Sequence, residues 1–349
     1  MNQSNYDLVV VGADGFLGNA VMGGLPQDWF IETTLVDKAY LDLNEDPIVN
    51  PQSPDILRCG TIGQVLRAWN NRDTRESNCH KVSGQKKLFI INLAGVSRKG
   101  KLEDVPSEVL KFSHNIELIA QICEFISSLS LTGVYSSVHL MHISTFGVYL
   151  DDDPLGYVKS KAAQELLLRG FCSNFTDGTF ACQIFRLCDV YGSSEYHQDK
   201  VINKILEHTK HGREMEFIDK RYLLFPIHVD FVVRVIVKEV QGTLFRDGKV
   251  KSLVNHGSVE TFLLFPKRCY RILEIVKFAK RCKNNDRLLL VHKIGIKFAA
   301  SLRMLHSKAN QRQKNEAFNC FSVKDEIKGS VLIDNKDFLD FWEEELVSG

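Results

Sequence analysis

An apolar run followed at once by a spaced set of glycines constrains the fold of this chain more than any other feature. Leu8–Val11 is a short continuous apolar segment, which is typical of a parallel strand covered on both faces. Gly12, Gly15 and Gly18 follow it at intervals of three residues. Glycine lets the backbone turn tightly, and a helix that begins in such a loop directs its first amides at phosphate groups. The pattern therefore predicts a strand, a phosphate-binding turn and a helix.

A carboxylate follows the second predicted strand, where a dinucleotide's ribose would be recognised. Asp37 comes directly after Trp29–Val36 and can accept hydrogen bonds from the adenosine ribose hydroxyls. Its charge, together with that of Asp14 in the glycine loop, disfavours a 2′-phosphate and favours NAD over NADP. Lys38 could accommodate that phosphate, which leaves NADP open as the cofactor.

Apolar segments alternate with helical patterns through the first half of the chain. Further strands are predicted at Leu88–Leu93, Val138–Ser144 and Ala181–Leu187, and a helix at Val109–Leu129. This alternation predicts an α/β fold with a doubly wound parallel sheet, the Rossmann arrangement. The polar stretch Asn70–Lys87 is interpreted as a surface loop or insertion.

The pattern becomes less regular from about Gly192, and 349 residues are enough for two lobes. We expect residues 1–190 to form a Rossmann domain that binds NAD(P) and carries the catalytic Tyr and Lys. Residues 191–349 are expected to form a smaller C-terminal substrate-binding lobe. The chain is expected to return to the sheet near residues 226–255.

Tyr157 and Lys161 lie four residues apart, so on a helix they share one face, one turn apart. An ammonium beside a phenol favours the phenolate and lowers a pKa that is normally about 10. Such a phenol can pass a proton to or from an alcohol oxygen near neutral pH. The same spacing is common on solvated helices. It indicates a catalytic pair here because a predicted nucleotide-binding loop precedes it in the chain.

Six motifs occur in one order within about residues 8–240: Val10–Gly18, Asn92–Gly95, Ile143–Tyr149, Tyr157–Lys161, Phe185–Gly192 and Pro226–Asp230. With these motifs the chain resembles an extended short-chain dehydrogenase/reductase of the NAD-dependent epimerase/dehydratase group. The resemblance implies an enzyme that transfers a hydride between a nicotinamide cofactor and a substrate, with a tyrosine as acid and base.

The resemblance also implies a role for each matched position. Thr145 would hydrogen-bond the substrate oxygen. Ser144 is the second candidate, because neighbouring side chains on a strand point to opposite faces of the sheet. Tyr157 would be the general acid/base, Lys161 would lower its pKa and hold the nicotinamide ribose, and Asn115 would belong to the proton relay. The expected cofactor contacts are Gly12, Asp14, Gly15, Phe16, Leu17, Gly18, Asp37, Lys38, Ala94, Gly95, Tyr157 and Lys161. The expected substrate contacts are Ser144, Thr145, Asp189 and Arg221.

Relatives in this group mostly act on nucleoside-diphosphate sugars, so the resemblance implies a sugar epimerase or 4-ketoreductase. Val36–Asn44 is similar to a segment of sugar 4-ketoreductases, and Asn92–Arg98 to one of capsular-sugar reductases, which suggests polysaccharide biosynthesis. Two other hypotheses remain open. One is an oxidoreductase of the same fold that acts on a non-nucleotide carbonyl or hydroxyl, and the other is a dinucleotide sensor without turnover.

The substrate side departs from the pattern of the group. Asp189 stands where many relatives have an asparagine, and a carboxylate there is unfavourable beside a diphosphate. Arg221 is the candidate for the substrate phosphates, although it lies further from His228 than the corresponding arginine usually does. The competing cations are Lys200, Lys204 and Arg213.

Composition bounds the partners and the compartment. The net charge of +1 gives no reason to expect nucleic acid. Nine cysteines without a Cys-x-x-Cys pair suit a reducing cytoplasm better than a disulfide framework. The start of the chain does not resemble a signal peptide. We expect a cytoplasmic protein with a small-molecule substrate, and the resemblance implies a homodimer.

The apolar run Leu288–Leu305 carries Lys293, Lys297 and Arg303, which excludes a membrane span. It is interpreted as a surface helix packed on its own domain, and a basic amphipathic helix on a membrane surface is the alternative. No metal site is expected, because the histidine pairs lack carboxylate or thiol partners.

Overall fold

The computed structural model describes residues 6–37, 48–49, 56–76, 86–95, 108–149, 156–175, 179–192, 202, 205, 223–244, 259–266, 269–272, 274–275 and 331–334. The chain divides into two compact units. The first comprises Met1–Arg186 and Val232–Thr261, and the second comprises Leu187–Phe231 and Phe262–Gly349. The predicted allocation of cofactor and substrate binding to separate domains stays a prediction.

The secondary structure follows the expected alternation. The strands are β1 Tyr6–Val11, β2 Thr33–Val36, β3 Ile48–Val49, β4 Ile56–Cys59, β5 Lys86–Asn92, β6 Tyr135–Thr145, β7 Phe180–Leu187, β8 Asp189–Tyr191, β9 Leu223–Leu224, β10 Pro226–His228, β11 Val259–Pro266, β12 Tyr270–Arg271 and β13 Val331–Asp334. The α-helices are α1 Phe16–Gly24, α2 Ile62–Glu76, α3 Glu108–Thr132, α4 Gly156–Cys172 and α5 Val229–Leu244. Short 3₁₀ turns cover Gln27–Trp29 and Phe146–Tyr149.

Within the first unit the strands of the sheet run in the order β7, β6, β5, β1, β2, β4, β3. β1 lies at its centre, with Val9 paired in parallel to Ile90 on one side and to Thr34 on the other. Every residue of β1 is buried, as expected for an aliphatic strand with helices over both faces. The doubly wound parallel α/β fold predicted from the sequence is confirmed.

The parallel register brings the carboxyl ends of the central strands to one edge of the sheet. Val11 pairs with Val36 of β2 and with Asn92 of β5, and Asn92 pairs with His142 of β6. Because these ends are level, the loops that follow them emerge side by side. This edge is where ligands bind in open α/β sheets.

The core of the first unit lies between the sheet and the helices on its faces. Phe125 and Ile126 of α3, Leu168 of α4 and Phe180 of β7 are almost completely buried in one apolar cluster. α3 and α4 also pack closely against each other. These contacts fix α4, and with it Tyr157 and Lys161, against the carboxyl end of β6.

The interpretation of Asn70–Lys87 as a loop was wrong at both ends. Residues 70–76 continue helix α2, and Lys86 and Lys87 begin β5. The polar composition concealed the helix, whose buried face lies earlier at Ile62, Val65 and Ala68. Once such a face is packed, each further residue adds one backbone hydrogen bond at little cost, so the helix continues. Residues 77–85 lie outside the described part of the chain.

The second unit contains short strand pairs. β8 pairs in parallel with β10, β9 pairs antiparallel with β12, and Leu263 of β11 pairs in parallel with Val331 of β13. Tyr191 and His228 pack edge to face across the β8–β10 pair, with ring centroids 5.1 Å apart. The predicted C-terminal helix at Leu288–Leu305 lies outside the described residues.

In the described part of the chain, we find no helix of sufficient length and apolar character to cross a bilayer.

The core assignment predicts a difference between two isoleucines. Ile126 is 0% exposed and Ile31 is 44% exposed. Ile126→Ala should lower the free energy of unfolding by about 2–5 kcal/mol, because it removes buried methylene groups and leaves a cavity. Ile31→Ala, the matched control, should change it by about 0.5 kcal/mol or less. Urea unfolding followed by circular dichroism measures both, and equal losses would contradict the assignment of the core.

Candidate active site

The glycine loop after β1 has no room for side chains at two of its three glycines. Gly12 has a φ of 83°, and a Cβ there would lie 2.8 Å from the backbone nitrogen of Ala94. A Cβ on Gly18 would lie 2.1 Å from the carbonyl oxygen of Gly12. The Gly12 amide donates to the Val36 carbonyl at 2.7 Å. The loop is therefore held against β2 and against the segment that follows β5.

Helix α1 begins at this loop without a capping side chain. Gly15 is its N-cap and is exposed, and the first turn contains no acidic residue. A helix N-terminus carries partial positive charge and offers amides to an anion. The loop and the start of the helix fit a diphosphate, which would supply the missing cap.

Asp37 lies against the same loop. Its Oδ2 accepts a hydrogen bond from the Asp14 amide at 3.2 Å, and its own amide donates to the Cys59 carbonyl at 3.1 Å. The half-buried carboxylate therefore sits at the carboxyl end of β2, beside the glycine loop, where it fits a ribose diol. Lys38 lies outside the described residues.

Lys161 connects α4 to the carboxyl edge of the sheet. Its side chain is buried, and its ammonium donates to the carbonyl oxygens of Ile143 at 3.0 Å and Ala94 at 3.4 Å. A Cβ on Gly95 would lie 2.9 Å from Nζ, so Gly95 covers the ammonium. Burial lowers the pKa of Lys161 to about 8, against the opposing effect of the Glu165 charge.

Asn115 ties α3 to α4 behind this lysine. It is 1% exposed, and its Nδ2 donates to the Ser160 hydroxyl at 2.8 Å. The Ser160 hydroxyl in turn donates to the Tyr157 carbonyl, and the Gln164 amide donates to the Asn115 carbonyl. These bonds hold the first turns of α4 in place.

Thr145 and Tyr157 come from neighbouring elements. Thr145 ends β6, is half-buried, and its Oγ1 accepts a hydrogen bond from the Gly147 amide at 3.2 Å. Tyr157 is half-buried in the first turn of α4, four residues before Lys161. Ser144 is buried and its hydroxyl donates to Glu165 at 2.6 Å. The roles of Ser144, Thr145 and Tyr157 stay predictions.

The sequence did not reveal a buried polar network beside these residues. Glu165 forms an ion pair with Arg186, and Asn92 donates to Nδ1 of His142 at 3.0 Å. Burial, reinforced by the Lys161 charge, holds the pKa of His142 well below its usual value, so this histidine is neutral. The one signal in the sequence was the spacing of four residues that runs from Tyr157 through Lys161 to Glu165.

The predicted substrate residues are only partly described. Oδ2 of Asp189, in the second unit, accepts a hydrogen bond from the Phe225 amide at 2.8 Å, and the Asp189 amide donates to the Phe225 carbonyl at 3.0 Å. Asp189 therefore joins β8 to the segment before β10, and its contact with substrate stays a prediction. Arg221 and its competitors Lys200, Lys204 and Arg213 lie outside the described residues. Within the described ranges, no three His, Cys, Asp or Glu side chains converge as metal ligands would.

Neither a protein-family model nor a curated protein matches the sequence of this chain. Solved structures do match its fold. One is the UDP-glucose 4-epimerase of Thermotoga maritima with UDP-glucose, at 18% identity and a TM-score of 0.52, covering 80% of this chain and 84% of that one. Another is the dTDP-glucose 4,6-dehydratase of Bacillus anthracis with NAD, at 15% identity and a TM-score of 0.53, covering 81% and 82%.

A third is the Bordetella bronchiseptica enzyme WbmF with NAD⁺, at 13% identity and a TM-score of 0.53, covering 82% of this chain and 81% of that one. Each of the three alignments covers most of both chains, so the similarity is not confined to the segment around the glycine loop. The chain therefore has the fold of these epimerase and dehydratase structures.

Proposed function

We propose that this chain is an NAD-dependent enzyme of the extended short-chain dehydrogenase/reductase family and that it acts on a nucleoside-diphosphate sugar. The observation that carries the proposal is the position of Lys161. Its ammonium is buried at the carboxyl edge of the sheet, beside the segment that packs on the glycine loop, and one helical turn from Tyr157. A surface lysine on a solvated helix would not be placed in this way.

NAD is the cofactor that the first unit fits. The uncapped start of α1 and the tightly packed Gly12 and Gly18 suit the diphosphate, and Phe16 and Leu17 begin the helix there. Asp37 would accept hydrogen bonds from the adenosine ribose, and its charge disfavours NADP. Ala94 and Gly95 border Lys161, which would hold the nicotinamide ribose. A bound nicotinamide would supply the one capacity that no side chain has, which is to accept a hydride from carbon and return it.

Proton transfer is assigned to Tyr157. The Lys161 ammonium, one turn away, favours the phenolate, so Tyr157 can take the proton from a sugar hydroxyl and give it back. Thr145 would hydrogen-bond the same oxygen and orient it. Asn115 acts through the backbone, because its bonds to Ser160 and Gln164 hold the helix turn that carries Tyr157.

The proposal of a nucleotide sugar is supported by the similar structures, since one of them was solved with UDP-glucose and another is a dTDP-glucose dehydratase. Asp189 and Arg221 are the proposed substrate contacts. Return of the hydride to the opposite face of the sugar would make the enzyme an epimerase. One-way transfer would make it a 4-ketoreductase. A role in polysaccharide biosynthesis belongs to the same proposal.

A homodimer in the cytoplasm completes the proposal. Leu166 and Leu167, adjacent on α4, are 72% and 46% exposed, and a contiguous exposed apolar patch marks an interaction site. A second copy of the chain would cover them. The six cysteines of the described residues carry free thiols, which supports a reducing compartment.

Removal of the Tyr157 hydroxyl tests the proton transfer. Tyr157→Phe should lower kcat by about 10²–10⁴-fold, because the acid/base group is lost. The affinity for NADH should stay nearly unchanged. The purified protein is assayed against a panel of nucleotide sugars with NAD⁺ and NADH. A net change in the absorbance of the reduced cofactor identifies a reductase, and interconversion of sugars without net change identifies an epimerase.

The matched control is Tyr6→Phe, which should retain wild-type kcat. Tyr6 is the first residue of β1, at the end of the strand away from the glycine loop. Wild-type activity in Tyr157→Phe would refute the assignment. NADH binding without turnover across the panel would favour the sensor hypothesis.

Asp37→Asn tests the preference for NAD. The amide keeps an acceptor for the Asp14 amide but loses the charge-assisted bond to ribose, worth about 1.5–3 kcal/mol, so NADH affinity should fall about 10- to 150-fold. NADPH affinity should rise relative to it. Asp28→Asn, an exposed position near the start of the same strand, is the control. Fluorescence titration measures the affinities of the wild type and of both variants for NADH and NADPH. An unchanged ratio of the two affinities in Asp37→Asn would show that another residue selects the cofactor.

Leu166→Glu tests the dimer. A charge at an apolar contact would remain without a partner, so the variant should be monomeric where the wild type is dimeric. Light scattering after size-exclusion chromatography measures the mass. Lys159→Glu, also exposed on α4 but already polar, is the control. A monomeric wild-type protein would contradict the proposal.

A further inference from the structure

A buried ion pair lies beside the proposed catalytic residues, and the mechanism above does not use it. The side chains of Glu165 and Arg186 are 5% and 14% exposed. Nε of Arg186 donates to both carboxylate oxygens of Glu165, at 3.0 and 3.2 Å, and Nη2 donates to Oε2 as well. Two buried charges are costly unless their geometry is good, and this pair is close and bidentate.

The pair contacts both ends of the turn that carries Thr145. Oε1 of Glu165 accepts a hydrogen bond from the Ser144 hydroxyl at 2.6 Å, immediately before Thr145. Nη1 of Arg186 donates to the Tyr149 hydroxyl, and the guanidinium lies 4.5 Å above the centre of the Tyr149 ring. The chain from Ser144 to Tyr149 is therefore held at its beginning and at its end by one ion pair.

Glu165 also accompanies Lys161 on the helix. The two residues lie four apart on α4, share one face and are both buried. Lys161 bonds the carbonyl of Ile143, and Glu165 bonds the side chain of the next residue, Ser144. Two successive turns of α4 therefore hold two successive residues of β6.

We propose that Glu165, braced by Arg186, is a positioning residue: it fixes the Thr145 turn onto α4 and supplies the buried negative charge that accompanies the Lys161 ammonium. This inference rests on the proposed function, because it assigns Thr145, Tyr157 and Lys161 to the reaction. Glu165 itself touches neither substrate nor cofactor in this assignment.

The charged groups around Glu165 determine how the loss of its charge changes the pKa of Lys161. Lys161 on α4 and Arg186 on β7 are the cations that face it, and Arg169 on α4 lies further along the same cluster. Tyr149 is neutral, since burial raises its pKa, and the buried His142 is neutral because its pKa is held low. Loss of the Glu165 charge removes the carboxylate that pairs with Arg186 and that raises the pKa of Lys161. The pKa of Lys161, which Glu165 raises, then falls below about 8.

The experiment compares the full-length protein with Glu165→Gln, Glu165→Asp and the control Glu124→Gln, which makes the same change at an exposed site on α3. NADH affinity and kcat/KM are measured against pH. In the wild type both should fall above pH about 8, as Lys161 loses its proton. Glu165→Gln should move this fall to lower pH by one unit or more. At a fixed alkaline pH, NADH affinity and kcat/KM should then be about tenfold lower than in the wild type. Glu165→Asp should restore the wild-type pH dependence, and Glu124→Gln should match the wild type.

The protein without cofactor gives a second readout. The pKa of Lys161 in the folded protein lies below the ordinary lysine value of 10.5, so this group destabilises the native state at neutral pH. Its effect is relieved as the pH rises from about 8 towards 10.5. In Glu165→Gln the destabilisation by the Lys161 charge should begin to decrease at a lower pH than in the wild type. The difference in melting temperature between wild type and variant should therefore narrow at alkaline pH.

Ser144→Ala separates positioning from charge. It removes the hydroxyl that bonds to Glu165 and leaves the ion pair intact, so kcat should fall about tenfold while the pH dependence stays that of the wild type. This variant decides the positioning claim even where Glu165→Gln does not fold. A purely structural role would lower the melting temperature of all Glu165 variants without moving the pH dependence, and that result would overturn the proposal.

Wild-type kcat in Ser144→Ala would also overturn it. Failure of the proposed function looks different: no nucleotide sugar would be turned over by the wild type, while the pH dependence of NADH binding and of melting would still report on Glu165.

Discussion

The candidate site depends on how the buried ammonium of Lys161 is accommodated. A buried charge is costly without hydrogen-bond acceptors or a counter-charge. The acceptors here are two backbone carbonyls, of Ile143 at the end of β6 and of Ala94 after β5. The bonds that stabilise the charge therefore also join α4 to two loops at the carboxyl edge of the sheet. A Cβ on Gly95 would lie 2.9 Å from Nζ, so a side chain at this position would displace the ammonium from its present place.

The sequence predicted the parts of the fold in which hydrophobic pattern and local geometry agree. β1 and β5 each contain a short continuous apolar segment, and β6 and β7 are rich in apolar residues. α3 shows helical periodicity over almost its whole length. The pattern failed at the far edge of the sheet. β4 is four residues long and includes the exposed Arg58, so nothing in it distinguished a strand from a loop. α2 was missed because its second half is polar and its apolar face is short.

The candidate site shows a similar division. The glycine loop, Asp37, Tyr157 and Lys161 were accessible because their relation lies in short spacings along the chain. The Glu165–Arg186 pair was not, because it joins a helix to a strand 21 residues later. Asn92 and His142 are 50 residues apart and meet only because β5 and β6 are neighbours in register. Contacts of this kind form only once the sheet is packed, so the periodicity of a single sequence cannot predict them.

The seam between α3 and α4 has a mechanical consequence. Asn115, Ser160 and Gln164 lock the two helices together on their inner side, where Lys161 is also held. The outer side of α4 exposes Leu166 to solvent. A helix is a hydrogen-bonded rod whose opposite faces cannot shift independently. A molecule bound at Leu166 would therefore contact the same helix that holds the buried Lys161.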